Sequence, residues 1–98
     1  MKTIYIVEGT TGAYSDRYDW FVKAFTSKVK AKELADELNC AANGLFDALD
    51  AEGISVYDMN DPDYSYIKDR FPDLKKDSEF SMDYTGTGYI VSECELEG

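Results

Sequence analysis

GTTGAYSDRYDW, residues 9–20, decides how the rest of the chain is read. Gly9 and Gly12 raise the question of a phosphate-binding loop, but their flanks argue against it. A P-loop places a lysine and a Ser or Thr directly after its last glycine, and a dinucleotide loop leads from a strand into a helix. Here no lysine follows, and Asp16 and Asp19 would repel phosphate. The stretch lies between two β-rich runs, TIYIV (3–7) and DWFVKAF (19–25). It therefore reads as the connection of a β-hairpin, with glycine serving the turn. The glycines of DYTGTG (83–88) fail as a phosphate site in the same way, because they enter a strand and face no helix N-terminus.

TIYIV is apolar on both alternating sets, Ile4 and Ile6 against Tyr5 and Val7, which predicts a central strand. Thr26 and Ser27 supply N-cap chemistry. Ala31, Leu34, Ala35, Leu38, Ala42, Leu45 and Leu49 then form one apolar stripe at helical spacing. The helix is predicted to run to about Glu52 and close at Gly53. Asn43-Gly44 in its middle costs about 1 kcal/mol against alanine, a place for a kink or break. ISVY (54–57) has the composition of a short strand. Asp61 before Pro62 is an N-cap and first-turn pair, predicting one or two helical turns before Pro72. SEFSMDY (78–84) allows a short extended segment, and GYIVSECEL (88–96) is the last strand. That strand has Ile90, Cys94 and Leu96 on one face, and Tyr89, Val91, Glu93 and Glu95 on the other.

The expected fold is α+β in a single domain spanning 1–98: a three-stranded antiparallel sheet in the order strand-strand-helix-strand. One long helix covers one face, and an irregular or short-helix insertion occupies about 54–78. The simplest placement puts the helix on the face bearing Ile4, Ile6 and Ile90. Both glycine turns then fall at the same end of the sheet.

Several chemistries are expected to be absent. No histidine is present, which removes the usual base at neutral pH and the commonest metal ligand. Cys40 and Cys94 read as reduced core thiols. The carboxylate pair Asp16 and Asp83 lacks any predicted burial to separate its pKa values. DMNDPDYSYIKD (58–69) departs from a calcium loop, with Pro62 at its fifth position, Asp63 where the bend wants glycine, and Asp69 in place of glutamate. The expectation is no enzyme, no cofactor and no metal. No run approaches the ~20 apolar residues of a membrane span, and the start lacks a signal peptide's pattern. The expected location is cytoplasmic.

Charge is the most informative feature. The net charge is −10, and all of it lies in the second half. Residues 1–46 hold six acids and six bases, whereas residues 47–98 hold fourteen acids and four bases. Such a field repels nucleic acid and attracts basic surfaces. Asp58, Asp61, Asp63, Asp69, Asp73, Asp77, Glu79 and Asp83 interleave with aromatics that include Tyr64, Tyr66 and Tyr84. Rings that anchor and charges that steer suit protein recognition. With Asp16, these are the candidate partner-binding residues. The bland alternative is a face that is only solvated.

Two stretches resemble a group of small, largely uncharacterised phage and prophage proteins. YIVEGTTGAYSDRYDWFVKAFTSKVKAKELADELN (5–39) is similar to their strand, G-x-YSD-R loop, aromatic strand ending in AF, and helix ending in LN. MDYTGTGYIVSECEL (82–96), with NDPD (60–63) before it, resembles their D-Y-T-G-T-x-Y turn and final strand. The likeness covers about 3–61 and 82–96, leaving YSYIKDRFPDLKKDSEF (64–80) as an insertion. It implies a phage context and no specific site residues. In that context a small acidic protein is expected to act in the host cell. It would inhibit a basic nucleic-acid-binding defence protein, such as a CRISPR effector, by anti-CRISPR-like mimicry of nucleic acid. The alternative is a non-enzymatic phage accessory protein that homodimerises through an exposed sheet face bearing Tyr5, Val7, Trp20, Tyr89 and Val91. A third reading is a small-ligand pocket between the glycine turns, anchored by Arg17 and Tyr84.

Overall fold

A computed structural model describes residues 2–12, 17–57, 60–82 and 85–96. Its elements are β1 (Lys2–Thr11), β2 (Tyr18–Phe25), α1 (Lys28–Ala51), α2 (Pro62–Lys68), a 3-10 helix (Pro72–Lys76) and β3 (Thr87–Leu96). The sheet is antiparallel in the order β2-β1-β3. The fold is thus α+β, with the doubly apolar strand at its centre as its alternation requires.

α1 starts where Ser27 accepts a hydrogen bond from the N–H of Lys30, and it ends at Glu52, with Gly53 at φ 67° beyond. It buries Ala31, Ala35, Leu38, Ala41, Ala42, Leu45 and Leu49. The small alanines let the helix lie close to the sheet. Leu38, Leu45 and Leu49 each contribute roughly 2 kcal/mol of transfer energy. Gly44 does not break the helix. A Cβ at that position would overlap the Phe71 ring, so the missing side chain makes room for the segment packed on α1.

The covered face differs from the expectation. α1 lies over Val7, Trp20 and Tyr89, all buried, while Ile90 is 46% and Phe21 59% exposed. Ile4, Ile6 and Ile90 therefore belong to the open face. Glu8 explains the difference, since it shares that face and covering it would have buried a carboxylate. Gly9 supplies the other reason: it pairs with both Trp20 and Tyr89, and a side chain there would overlap the indole. β2 also breaks its alternation. The register shifts so that Val7 faces Lys23 and Glu8 faces Phe21, a bulge that brings Phe25 to the covered face beside Tyr5.

The segment from 60 to 82 belongs to the core. Tyr64, Ile67, Leu74 and Met82 join the same buried cluster as α1 and the sheet. Asp61 caps α2 through the N–H of Asp63, and Pro62 opens the helix. ISVY forms no strand: Val56 and Tyr57 lie in a turn. No strand forms over the described part of 78–84. Among the described residues, no helix is long and apolar enough to cross a membrane.

Candidate functional site

The two glycine turns meet at one end of the sheet, as the topology requires. Thr11 pairs with Thr87, Thr11 Oγ1 donates to the Gly86 carbonyl at 2.6 Å, and the Gly12 N–H donates to Thr85 Oγ1 at 3.1 Å. Gly12 and Gly86 have φ of 89° and 86°, a region open to glycine at no steric cost. A pocket of about 490 Å³ opens beside them, lined by Thr10, Thr11, Asn43, Phe46 and Thr85–Gly88. Among the described residues, its lining is uncharged. Arg17 is not in it and instead bonds Asp19 at 3.0 Å. That bond and one from Thr10, the stronger influence, hold the Asp19 carboxyl below its usual range.

Twelve residues were expected to face a partner. Asp16, Asp58, Asp83 and Tyr84 lie outside the described residues. Asp63, Tyr66, Asp69 and Glu79 are exposed. Asp61 is half-buried and serves as the α2 cap. Asp73 pairs with Lys76 at 3.3 Å, and Lys76 reaches Glu37 at 2.6 Å. Glu37 first and Asp73 second hold the Lys76 ammonium above its usual range.

Two members of the set are structural instead. Tyr64 is 2% and Asp77 4% exposed. Asp77 Oδ2 accepts from Trp20 Nε1 at 2.8 Å and from the Tyr89 hydroxyl at 2.7 Å, while Oδ1 accepts from the Glu79 N–H at 3.1 Å. Trp20 and Tyr89 bury rings whose polar tips need an acceptor, and Asp77 supplies it. Burial, then Asp77, pushes the Tyr89 hydroxyl far above the usual tyrosine range.

The cysteine expectation is corrected too: Cys40 and Cys94 are free and exposed. Cys40 falls beside the α1 stripe, and Cys94 lies on the open face of β3.

The remaining acids are concentrated on the helical layer. Asp47, Asp50 and Glu52 at the end of α1, with Asp63, Asp69 and Glu79, are exposed. None has a cation within 4.0 Å among the described residues. The late cations are largely engaged elsewhere. Lys68 sits over the Phe80 ring, Arg70 over Tyr66, and Lys76 holds the acids named above. Among the described residues, only Lys28 crosses from the first half to a late acid, Glu93, at 3.6 Å.

Comparison with known protein families, curated proteins and solved structures finds no match. The site must therefore be read from its own chemistry.

Asn39 is a functional-looking residue that the sequence did not single out. Its amide donates to the Tyr89 carbonyl at 2.9 Å and accepts from the Tyr89 N–H at 2.7 Å. It acts as a one-residue strand on the free edge of β3, and no local motif announces such a contact.

Proposed function

We propose that this chain is a non-catalytic inhibitor that binds a basic, nucleic-acid-binding host protein through its acidic helical layer. The observation that carries this reading is the set of exposed carboxylates on α1 and the 61–79 segment without cationic partners. Asp47 and Asp50 stand one turn apart, roughly 5–6 Å between Cβ atoms, near the scale on which phosphates repeat. Such an array presents a Lys- and Arg-lined channel with a field like that of nucleic acid. The phage-like pattern of 3–61 and 82–96 supports a defence protein, such as a CRISPR effector, as the class of target.

The exposed residues available to such a partner are Asp47, Asp50, Asp63, Tyr66, Asp69 and Glu79. Tyr66 offers a ring beside the charges, 68% exposed. The test is affinity capture from nuclease-treated bacterial lysate, with the wild type beside a variant carrying Asp47→Asn, Asp50→Asn, Asp63→Asn and Asp69→Asn. A nucleic-acid-binding protein retained by the wild type and lost by the variant is the expected result. Equal retention by both contradicts the proposal.

A further inference from the structure

Among the described residues, the sheet is covered on one side only, and its open face is self-complementary. The register sets Phe21, Glu8 and Ile90 in one row across the three strands, then Ala24, Ile6 and Ser92. Below them come Ile4 with Cys94, and Lys2 with Leu96. Phe21, Ile90 and Leu96 are 59%, 46% and 45% exposed. An apolar patch of this kind, edged by charges, marks an interface. Along β1 the open face reads Lys2, Ile4, Ile6, Glu8, with opposite charges at the two ends of an apolar pair.

From this pattern we infer that the open face is a homodimer interface, in which two copies pack sheet on sheet with their β1 strands antiparallel. The two-fold axis lies between the sheets, perpendicular to the strands, level with the midpoint of Ile4 and Ile6. This axis sets Ile4 over the second copy's Ile6, Leu96 over its Ile90, and Lys2 over its Glu8. The contact is isologous, so each pair occurs twice. Sheets stacked about 10 Å apart leave room for a lysine and a glutamate to meet across the gap. A two-fold along the strands would instead bring the Glu8 rows together, like charge on like. Charge therefore selects the antiparallel arrangement and favours a second copy as the occupant.

The overlap runs over Lys2–Glu8 of β1 and Ile90–Leu96 of β3, with β2 beyond its end. At roughly 20 Å by 10 Å it is well below the size of stable dimers, so association is weak, in the millimolar range. The acidic helical layer lies on the far side of each sheet. Dimerisation leaves it free, so this inference stands apart from the proposed function, and either can fail alone.

Sedimentation equilibrium of the full chain, from micromolar to millimolar concentration, tests the inference. A reversible dimer is expected, tightening as NaCl rises because each copy carries −10. Glu8→Lys weakens it about tenfold, and adding Lys2→Glu restores it. Lys2 and Glu8 lie about 20 Å apart on one strand, so the rescue must act between copies. Cysteine alkylation gives a second readout: dimer formation slows labelling of Cys94 on the open face and leaves Cys40 on α1 unchanged. A monomer at every concentration overturns the inference. So does a folded Glu8→Lys variant that dimerises normally, a double variant that stays weak, or equal labelling of Cys94 in monomer and dimer.

Discussion

Trp20 Nε1 donates to Asp77 Oδ2 at 2.8 Å, joining residues 57 positions apart in the chain. Tyr89 donates to the same oxygen, so one carboxyl group ties both edge strands to the segment after the 3-10 helix. Asp77→Ala leaves two buried donors without an acceptor and should cost about 3 kcal/mol in urea unfolding. Asp77→Asn keeps one acceptor oxygen for the two rings and turns its amide toward the Glu79 N–H. It should cost about half as much.

Tyr89 makes the fold sensitive to alkali. Its folded pKa is raised by burial and by Asp77, so its contribution is complete below pH of about 10, where a free tyrosine keeps its proton. Above that pH the unfolded chain releases a proton that the folded chain retains, and stability falls as pH rises. Tyr64, raised by burial, and Lys76, raised by Glu37 and Asp73, act in the same direction. Absorbance titration should show Tyr89 ionising only on unfolding. A Tyr89→Phe variant should have a flatter stability profile above pH of about 10.

Gly9→Ala forces a methyl group into the Trp20 indole, which its bond to Asp77 holds in place. A cost of about 3 kcal/mol is expected, measured by thermal or urea unfolding with Trp20 fluorescence as the probe.

Asn39→Asp replaces the amide donor facing the Tyr89 carbonyl with a carboxylate. A loss of about 2 kcal/mol is expected. Faster hydrogen exchange at the Tyr89 amide, with the β1 amides little changed, would locate the effect at the β3 edge.

Much of the fold could be read from local chemistry. The apolar alternation of TIYIV placed β1 at the centre, the Ala/Leu stripe and Ser27 defined α1, and Asp61-Pro62 started α2. The covered face was misread because both alternating sets of β1 are apolar. The deciding residues are Glu8, whose carboxylate the apolar Ala/Leu stripe of α1 could not pair, and Gly9, whose role appears only when Trp20 lies against it. The 64–80 stretch looked separable because its Tyr64, Ile67 and Leu74 show no period long enough to predict burial. Its aspartates share one composition but divide in space: Asp77 turns inward to two rings, Asp73 holds a lysine, and Asp63 and Asp69 face solvent. Sequence carries the charge asymmetry, whereas three-dimensional contacts decide which carboxylates remain available.

We propose that those available carboxylates take the place of phosphates on a basic protein. The most direct measurement is competition: a captured partner is loaded with fluorescent single-stranded DNA, and this protein is titrated in at several NaCl concentrations. Nucleic-acid mimicry predicts that it displaces the DNA, that its affinity falls steeply as salt rises, and that the four-fold Asp→Asn variant does not compete. DNA that stays bound while the protein also binds, with an affinity indifferent to salt, would contradict it.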